Sequence, residues 1–414
     1  MLRSPFAESA RRMTTAIAAV ALTKQHLIDP EICIRCNTCE ETCTIDAITH
    51  DDNNYVVDVD KCNACMDCIS PCPTGAIDNW RVVKTAFTLD EQLSWSDLPK
   101  QDVFEDAETA SAMEAIEEEV ASLLADAHKG SGGKAVAPAS AAKPSVNLYS
   151  RAAPAIATVQ GNYRLTSTNS DNDVRHLVLH LGDTAMPVLE GQSIGILTPG
   201  ARADGRPHDV RLYTIASARD GEKPQGNNIA LTVKRSVGGV ASNYLCDLKK
   251  GDKVQITGPF GATFLMPNDA AANIIMICTG TGSAPFRAFT ERRRRAMPGA
   301  RGAMVMFFGA RTPEELPYFG PLQKVPATVL EKHLVYSRVT GQPKEYVQDR
   351  MRVEGARVAE LLKSDATHIF ICGLRGMETG VDEALADVCR QHQLDWAALR
   401  PAMRTSGRYH VETY

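Results

Sequence analysis

Eight cysteines crowd between Cys33 and Cys72, in two runs of one pattern. The run "CIRCNTCEETCTIDAI" begins at Cys33 and "CNACMDCISPCPTGAI" at Cys62, so Cys33, Cys36, Cys39 and Cys43 each have a counterpart 29 residues later in Cys62, Cys65, Cys68 and Cys72. Three thiolates at C-x2-C-x2-C spacing wrap three corners of an iron–sulfur cube, and the fourth cysteine of each run reaches across to the other cube. Two four-iron four-sulfur clusters are expected, one held by Cys33, Cys36, Cys39 and Cys72, the other by Cys62, Cys65, Cys68 and Cys43. Structural zinc and disulfides are the other chemistries open to these thiols. A disulfide scaffold is short and cysteine-dense throughout, whereas the remaining Cys246, Cys278, Cys372 and Cys389 are scattered.

The repeat extends beyond the ligands, pairing Asp29 with Asp58, Ala47 with Ala76 and Ile48 with Ile77. It resembles a bacterial two-cluster ferredoxin. One departure is that Pro71 and Pro73 flank Cys72 while Thr42 and Thr44 flank Cys43. Threonine removes no ligand, so the difference bears on local exposure and potential and not on ligation.

A second set of chemical groups lies further along. "RLYTIAS" from Arg211 and "GVASNYLCDL" from Gly239 supply a guanidinium and hydroxyls, which suit a diphosphate. "CTGTGSAPFRAF" follows the apolar run from Ile274 to Cys278, and a glycine loop between strand and helix offers backbone N–H groups to an anion. A dinucleotide pyrophosphate is expected over Gly280, Thr281 and Gly282, although the full G-x-G-x-x-G spacing is absent. Together these segments are similar to those of plant-type ferredoxin–NADP reductases.

That resemblance implies an FAD whose pyrophosphate meets Arg211, whose isoalloxazine packs on Tyr213 and whose N5 lies near Thr214, with Ser242 as a further phosphate contact. It implies that Ser337, Arg338, Lys344 and Tyr346 of "YSRVTGQPKEYVQDRM", with Gln348 nearby, grip the 2'-phosphate of NADP. A hydroxyl plus two cations favours that phosphate over a bare ribose hydroxyl, so NADPH is expected over NADH. The loop is shorter than in the plant enzymes. The resemblance further places Cys372 of "ICGLRGMETGV" and Glu412 of "HVETY" beside the nicotinamide, with the terminal Tyr414 stacked on the flavin until nicotinamide displaces it. Thr214, Cys372, Glu412 and Tyr414 are thereby the candidate catalytic residues. "ERRRRAM" from Glu291 reads as the solvated end of the helix after the glycine loop.

A chain of 414 residues exceeds one core and needs two or three domains. The expected fold is α+β multidomain: an N-terminal extension (1–24), a two-cluster [4Fe-4S] ferredoxin domain (25–82), an acidic helix and flexible linker (83–147), an FAD-binding antiparallel β-barrel (148–268) and an NADP-binding α/β parallel-sheet domain (269–414). Met113, Ile116, Val120, Leu123 and Leu124 recur at helical spacing in the acidic stretch, and "HKGSGGKAVAPASAAKPS" is small, polar and Pro-containing, as a tether would be. "RHLVLHLG", "SIGILTPG", "NIALTVKR" and "DKVQITGPFG" are short strands closely spaced, which suggests the barrel. "NIIMIC", "AMVMFFG", "KHLVYSR" and "HIFICG" alternate with helix-length segments, which implies a parallel sheet.

A net charge of -5 gives no reason to expect a nucleic-acid partner, whose phosphates demand a basic face. No stretch reaches the roughly 18 apolar residues of a membrane span. Arg3, Arg11 and Arg12 before "MTTAIAAVALT" faintly resemble a signal peptide, but the run is short and Thr-rich, so a cytoplasmic protein is expected, with Met1 or Met13 as its start. NADPH gives electrons in pairs and each cluster takes one, so electrons are expected to run from NADPH through FAD to the clusters and out. A two-cluster ferredoxin, an acidic linker and a plant-type reductase in one chain resemble the reductase components of benzoyl-CoA 2,3-epoxidases, and "IDPEICIRCNTCEETC" is similar to their opening motif. This implies a separate di-iron oxygenase as partner, since no di-iron carboxylate and histidine set is seen here. A reductase of the same build serving another acceptor, and a non-enzymatic redox sensor or assembly subunit, are the alternatives.

Overall fold

In a computed structural model the described residues are 23–63, 68–69, 72, 74–77, 79–83, 85–99, 110–131, 135–222 and 226–414. The N-terminal extension therefore lies outside them, as does Cys65. The cysteine repeat folds with near two-fold pseudosymmetry. Strand β1 (Thr23–Leu27) runs antiparallel to β4 (Asn79–Val83), and β2 (Ile48–His50) to β3 (Tyr55–Val57), with helix α1 (Thr38–Thr42) between β1 and β2. The matched positions do matched work. Asp29 N–H donates to the Ala76 carbonyl (2.8 Å) and Asp58 N–H to the Ala47 carbonyl (2.7 Å), while the two aspartate carbonyls accept from Cys33 and Cys62 N–H at 3.1 and 2.9 Å.

After α2 (Leu89–Leu93), capped by Thr88 and Glu91, the chain enters helix α3 (Ala110–Ala127), followed by a 3-10 turn at Lys129–Ser131. The tether expected after it to be flexible is instead laid against the rest of the chain over residues 135–150. The Ser140 carbonyl accepts from Asn268 N–H (3.2 Å) and its hydroxyl from Asp269 N–H (3.3 Å). The Ser145 carbonyl accepts from Gln192 Nε2 (2.9 Å), and Lys143 reaches back to Glu31 of the cysteine domain (2.9 Å). Asn268 also faces Gly75, 3.5 Å from where a Cβ would stand. The physical reason is that small residues let the backbone itself dock, and backbone groups are obligatory hydrogen-bonding partners.

The next unit comprises β5 (Ala155–Arg164), β6 (Val174–His180), β7 (Ser193–Leu197), β8 (Arg211–Thr214), β9 (Asn228–Lys234), helix α4 (Val240–Asp247) and β10 (Lys253–Phe260). These form an antiparallel sheet in the order β8-β7-β10-β5-β6-β9, and the bridge between Ile215 and Leu231 joins its two ends. Leu177, Leu179, Ile194, Ile196, Leu231 and Val254 fill the interior without solvent contact.

The last unit is a doubly wound sheet. Strands β11 (Asn273–Thr279), β12 (Met304–Ala310), β13 (Glu331–Tyr336), β14 (Thr367–Gly373) and β15 (Tyr409–Thr413) are all parallel, in the order β13-β12-β11-β14-β15. Helices α5 (Ser283–Ala296), α6 (Phe319–Gln323), α7 (Val347–Val353), α8 (Gly355–Leu362), α9 (Met377–Gln391) and α10 (Trp396–Thr405) connect them. The strand order reverses beside β11, so a crevice opens at the carboxyl ends of β11 and its neighbours. The arginine run ending α5 is solvated only at Arg294: Arg293 donates to the Gly302 and Ala272 carbonyls, both at 3.0 Å, Arg295 to those of Gly221 and Glu222, and Arg292 is buried. Long guanidinium arms satisfy distant carbonyls that shorter side chains would leave unpaired. Among the described residues no helix is long and apolar enough to cross a membrane.

Candidate functional site

The loop after β1 carries the first cysteines. Arg35 and Asn37 take left-handed conformations (φ 55° and 63°), which curls the backbone around one cavity. Cys33, Cys36, Cys39 and Cys72 line it with Ile28, Tyr55 and Ile77, so Cys72 shares this cavity with the first run. The Thr38 hydroxyl donates to Cys36 Sγ (3.3 Å) and Ala47 N–H to Cys43 Sγ (3.3 Å). Burial, reinforced by Cys72 and Cys33, pushes the Cys39 thiol up to about 12. Several thiolates in an apolar pocket are costly unless cationic iron neutralises them, which is the fit expected of a cluster site. Of the second set, Cys43, Cys62 and Cys68 pack in the same core, and Cys65 lies outside the described residues. Among the described residues no three ligating side chains converge on a single-ion position.

Strand β8 presents Arg211, Tyr213 and Thr214 on the barrel. Arg211 is exposed, with Asp209 at 3.7 Å and the Val210 carbonyl at 3.1 Å beside it, so about half of its side chain faces solvent, available to an anion. Tyr213 packs on the barrel core, and burial pushes its phenol up to about 12. The Ser193 hydroxyl donates to Thr214 Oγ1 (3.3 Å). Ser242 does not extend its hydroxyl outward. It accepts from Ser236 N–H (3.2 Å) and donates to the Gly239 carbonyl (3.3 Å), shaping the turn whose unpaired amides begin α4.

A cavity of about 500 Å³ occupies the crevice of the parallel sheet. Gly280, Thr281, Ser337, Arg338, Tyr346, Gln348 and Tyr414 all line it, uniting the glycine loop with the end of the chain. Gly280 has φ 55° and open space where a Cβ would stand. Gly282 has the opposite constraint, since a Cβ there would lie 2.1 Å from the Cys372 carbonyl oxygen. Lys344 is exposed and does not line the cavity. Arg311, Arg375 and Lys234 do, and sequence reasoning missed them. Arg311 directly follows β12 and Arg375 follows β14, so the carboxyl-end rule for open sheets was the available signal. Glu345 also lines the cavity but is neutralised by Arg350 at 2.6 and 2.8 Å.

At the end of β15, Cys372 and Glu412 stand opposite each other in the β14–β15 register. Both are buried; burial pushes the Glu412 carboxyl up to about 8 and raises the Cys372 thiol, the latter with help from Glu412. Tyr414 is 51% exposed, and its Oη lies 3.0 Å from Thr281 Oγ1, across the glycine loop. A residue that sequence reasoning passed over joins this group: His128, just after α3, places Nδ1 3.1 Å from the Val411 carbonyl and Nε2 3.5 Å from Glu412 Oε1.

Three family models match the chain: a 4Fe-4S dicluster domain over residues 25–73, an oxidoreductase FAD-binding domain over 165–264 and an oxidoreductase NAD-binding domain over 276–383. The chain is 38% identical to the cyanelle ferredoxin–NADP reductase of Cyanophora paradoxa over 288 residues, covering 65% of this chain and 79% of that protein. It is 36% identical to the ferredoxin–NADP reductase of Spirulina sp., covering 65% of this chain and 98% of that one. The ferredoxin-NADP+ reductase structure from Plasmodium falciparum superposes with a TM-score of 0.52 at 24% identity, over 65% of this chain and 99% of that one, a likeness of fold. With a dicluster domain ahead of its FAD- and NAD-binding domains, the chain belongs to the ferredoxin–NADP reductase family.

Proposed function

We propose that this chain is an NADPH-dependent reductase that passes electrons through FAD and two [4Fe-4S] clusters to a di-iron oxygenase that epoxidises benzoyl-CoA. The observation that carries the electron path is the single cavity holding the glycine loop, Ser337, Arg338 and Tyr414, in a chain whose cysteine domain is docked alongside. Gly280, Thr281 and Gly282 receive the nucleotide pyrophosphate, and Ser337 and Arg338 the 2'-phosphate, with Tyr346 and Gln348 beside them. Arg311, in the lining of the same cavity, takes the cationic part first expected of Lys344.

Arg211 and the amides at the start of α4 hold the FAD pyrophosphate, Tyr213 supports the ring and Thr214 sits at its reactive edge. FAD, when bound, exchanges the electron pair of NADPH for single electrons that the clusters accept. Cys372 and Glu412 border the nicotinamide, and Tyr414 must leave Thr281 for the nicotinamide to reach the flavin. Cys33, Cys36, Cys39 and Cys72 hold one cluster, and Cys43, Cys62, Cys65 and Cys68 the other. Such thiolates require the reducing conditions of a cytoplasm.

The choice of oxygenase rests on the order of modules and on the opening motif "IDPEICIRCNTCEETC". Anaerobically purified protein is expected to hold one FAD with iron and acid-labile sulfide for two clusters, and to drive benzoyl-CoA consumption when mixed with the di-iron component, NADPH and O₂. A chain with these cofactors that reduces dyes but leaves benzoyl-CoA untouched refutes the acceptor. The names of its relatives favour a second reading, a reductase serving a ferredoxin-type or other acceptor. Electron-transfer rates to candidate acceptors separate the two.

A further inference from the structure

Resting on the reductase reading above, we infer that the segment joining the two redox modules completes the reductase site: His128 shares a proton with Glu412 and conducts it between the buried end of β15 and solvent. His128 lies outside all three matched domains. It is brought in by the turn Lys129–Ser131, which lies along β15 more closely than any side chain would permit. A Cβ on Gly130 would stand 2.8 Å from Glu378 Cγ and 2.9 Å from Val411 Cγ1.

The pairing fixes the proton's position. A carbonyl only accepts, so the Val411 oxygen at 3.1 Å requires the hydrogen on Nδ1. Nε2 of the neutral ring is then a lone pair facing Glu412 Oε1 at 3.5 Å, and one proton serves both atoms. The side chains are 18% and 9% exposed, so the histidine is the wetter end. Burial lowers the affinity of His128 for a proton and raises that of Glu412, which leaves the shared proton on Glu412 at rest.

The titratable groups around this pair hold their protons or have partners of their own. On β14 and β11 the Cys372 and Cys278 thiols are held protonated by burial, and the neighbouring His410 is kept neutral, its value pushed down to about 3. Tyr414, beyond Glu412 on the same strand, keeps its phenol proton. Glu378 of α9 is bonded to Gly376 N–H (2.8 Å), and on the linker Asp126 is paired with Lys129 and feels Arg375.

The reaction needs such a path. Oxidation of NADPH yields NADP⁺, two electrons and one proton, and once the electrons have left singly the proton at the buried end of β15 must still reach solvent. Glu412, protonated at rest, passes its proton to Nε2 of His128 and takes the new one in its place, and the imidazolium then gives up a proton to water. His128 thus acts through Glu412, as a positioning residue.

The test uses the full chain with His128→Gln and His128→Leu. Infrared titration without NADPH follows the protonated carboxyl band of Glu412, identified by its loss in Glu412→Gln. The wild-type band is expected to disappear near pH 8. In both variants it should disappear at lower pH, by about half a unit or more, because a proton held between two bases persists longer than one held by a single base. NADPH-driven reduction of a one-electron dye should fall roughly tenfold or more and recover with added imidazole. An unmoved band together with unrescued activity overturns the inference, and if the Leu variant loses its flavin the Gln variant decides. A wild-type chain inert toward NADPH, with the band shifted in the variants, would sink the reductase reading and leave the shared proton standing.

Discussion

Replacing Gly282 by alanine isolates the contact that seats the glycine loop. The new Cβ would lie 2.1 Å from the Cys372 carbonyl oxygen and 2.5 Å from its carbonyl carbon, whereas ordinary contact begins at 3.4 Å. Backbone cannot rotate away, so the loop must lift from β14 by the shortfall between the first and last of these distances. A displacement of about 1 Å in a positioning element costs on the order of 100-fold in rate, and overpacking of this kind costs roughly 1–3 kcal/mol. Gly280→Ala is the control: nothing lies within 4 Å of its Cβ position, but φ 55° imposes a left-handed penalty. That penalty is roughly 1 kcal/mol, about a fivefold effect. Steady-state dye reduction and NADPH titration should therefore show kcat/KM down roughly 100-fold in Gly282→Ala and only about fivefold in Gly280→Ala, with iron and flavin contents unchanged in both. Near-wild-type kinetics in Gly282→Ala, or a worse defect in Gly280→Ala, would refute the claim that close approach to β14 positions the nucleotide.

Arg338→Ala should raise KM for NADPH and leave NADH nearly untouched, since only NADPH loses a charge-assisted contact worth roughly 1.5–3 kcal/mol; equal losses would remove Arg338 from the 2'-phosphate site. Cys72→Ala should lower iron by one cluster's share and disturb the site built by Cys33, Cys36 and Cys39, which it borders; iron and sulfide analysis at the wild-type level would contradict the crossover. Burial holds His410 down to about 3 and His368 to about 4, against 6.5 in the unfolded chain. The unfolded chain therefore takes up these protons first, so their contribution to stability is complete above about 6.5 and is lost as pH falls through 4 and then 3, by about 1.4 kcal/mol per pH unit for each site. His410→Gln should flatten the dependence of the unfolding midpoint between pH 6.5 and 4, and an unchanged slope would count against a neutral His410.

What could be read beforehand followed from groups whose chemistry imposes spacing. The cysteine runs, with Asp29 and Asp58 at matched offsets, could be read because a cube needs ligands at set intervals and each half needs the same turn. Gly280 stands out because a glycine loop follows a strand, Arg211 because a guanidinium suits a diphosphate, and Tyr414 through the resemblance to plant-type reductases. The docking of residues 135–150 left no such trace. Its contacts run through the Ser140 and Ser145 carbonyls, which every residue type possesses, and a small polar composition reads equally as a tether. His128 was hidden for the same reason, since its partner Glu412 stands at the far end of the chain and only the position of the turn brings them together. Arg292 and Arg293 were assigned to solvent by charge alone, although a guanidinium on a long stem can satisfy buried carbonyls. Lys344 matched the expected pattern but is exposed and does not line the cavity.

In the proposed electron path, the latch formed by Ser140, Lys143 and Asn268 makes the step between the modules one within a single chain. A donor and acceptor in one chain meet at an effective concentration of roughly millimolar for a short connection, so diluting the protein leaves their encounter rate unchanged while slowing encounters with any outside acceptor. The latch is also weak. Lys143 and Glu31 are each about half exposed, and an ion pair of that kind contributes about 0–1 kcal/mol and is screened by salt. Ionic strength, not protein concentration, is therefore the variable that sets how long the cysteine domain rests against the reductase and how often its outer face is free to turn toward another protein.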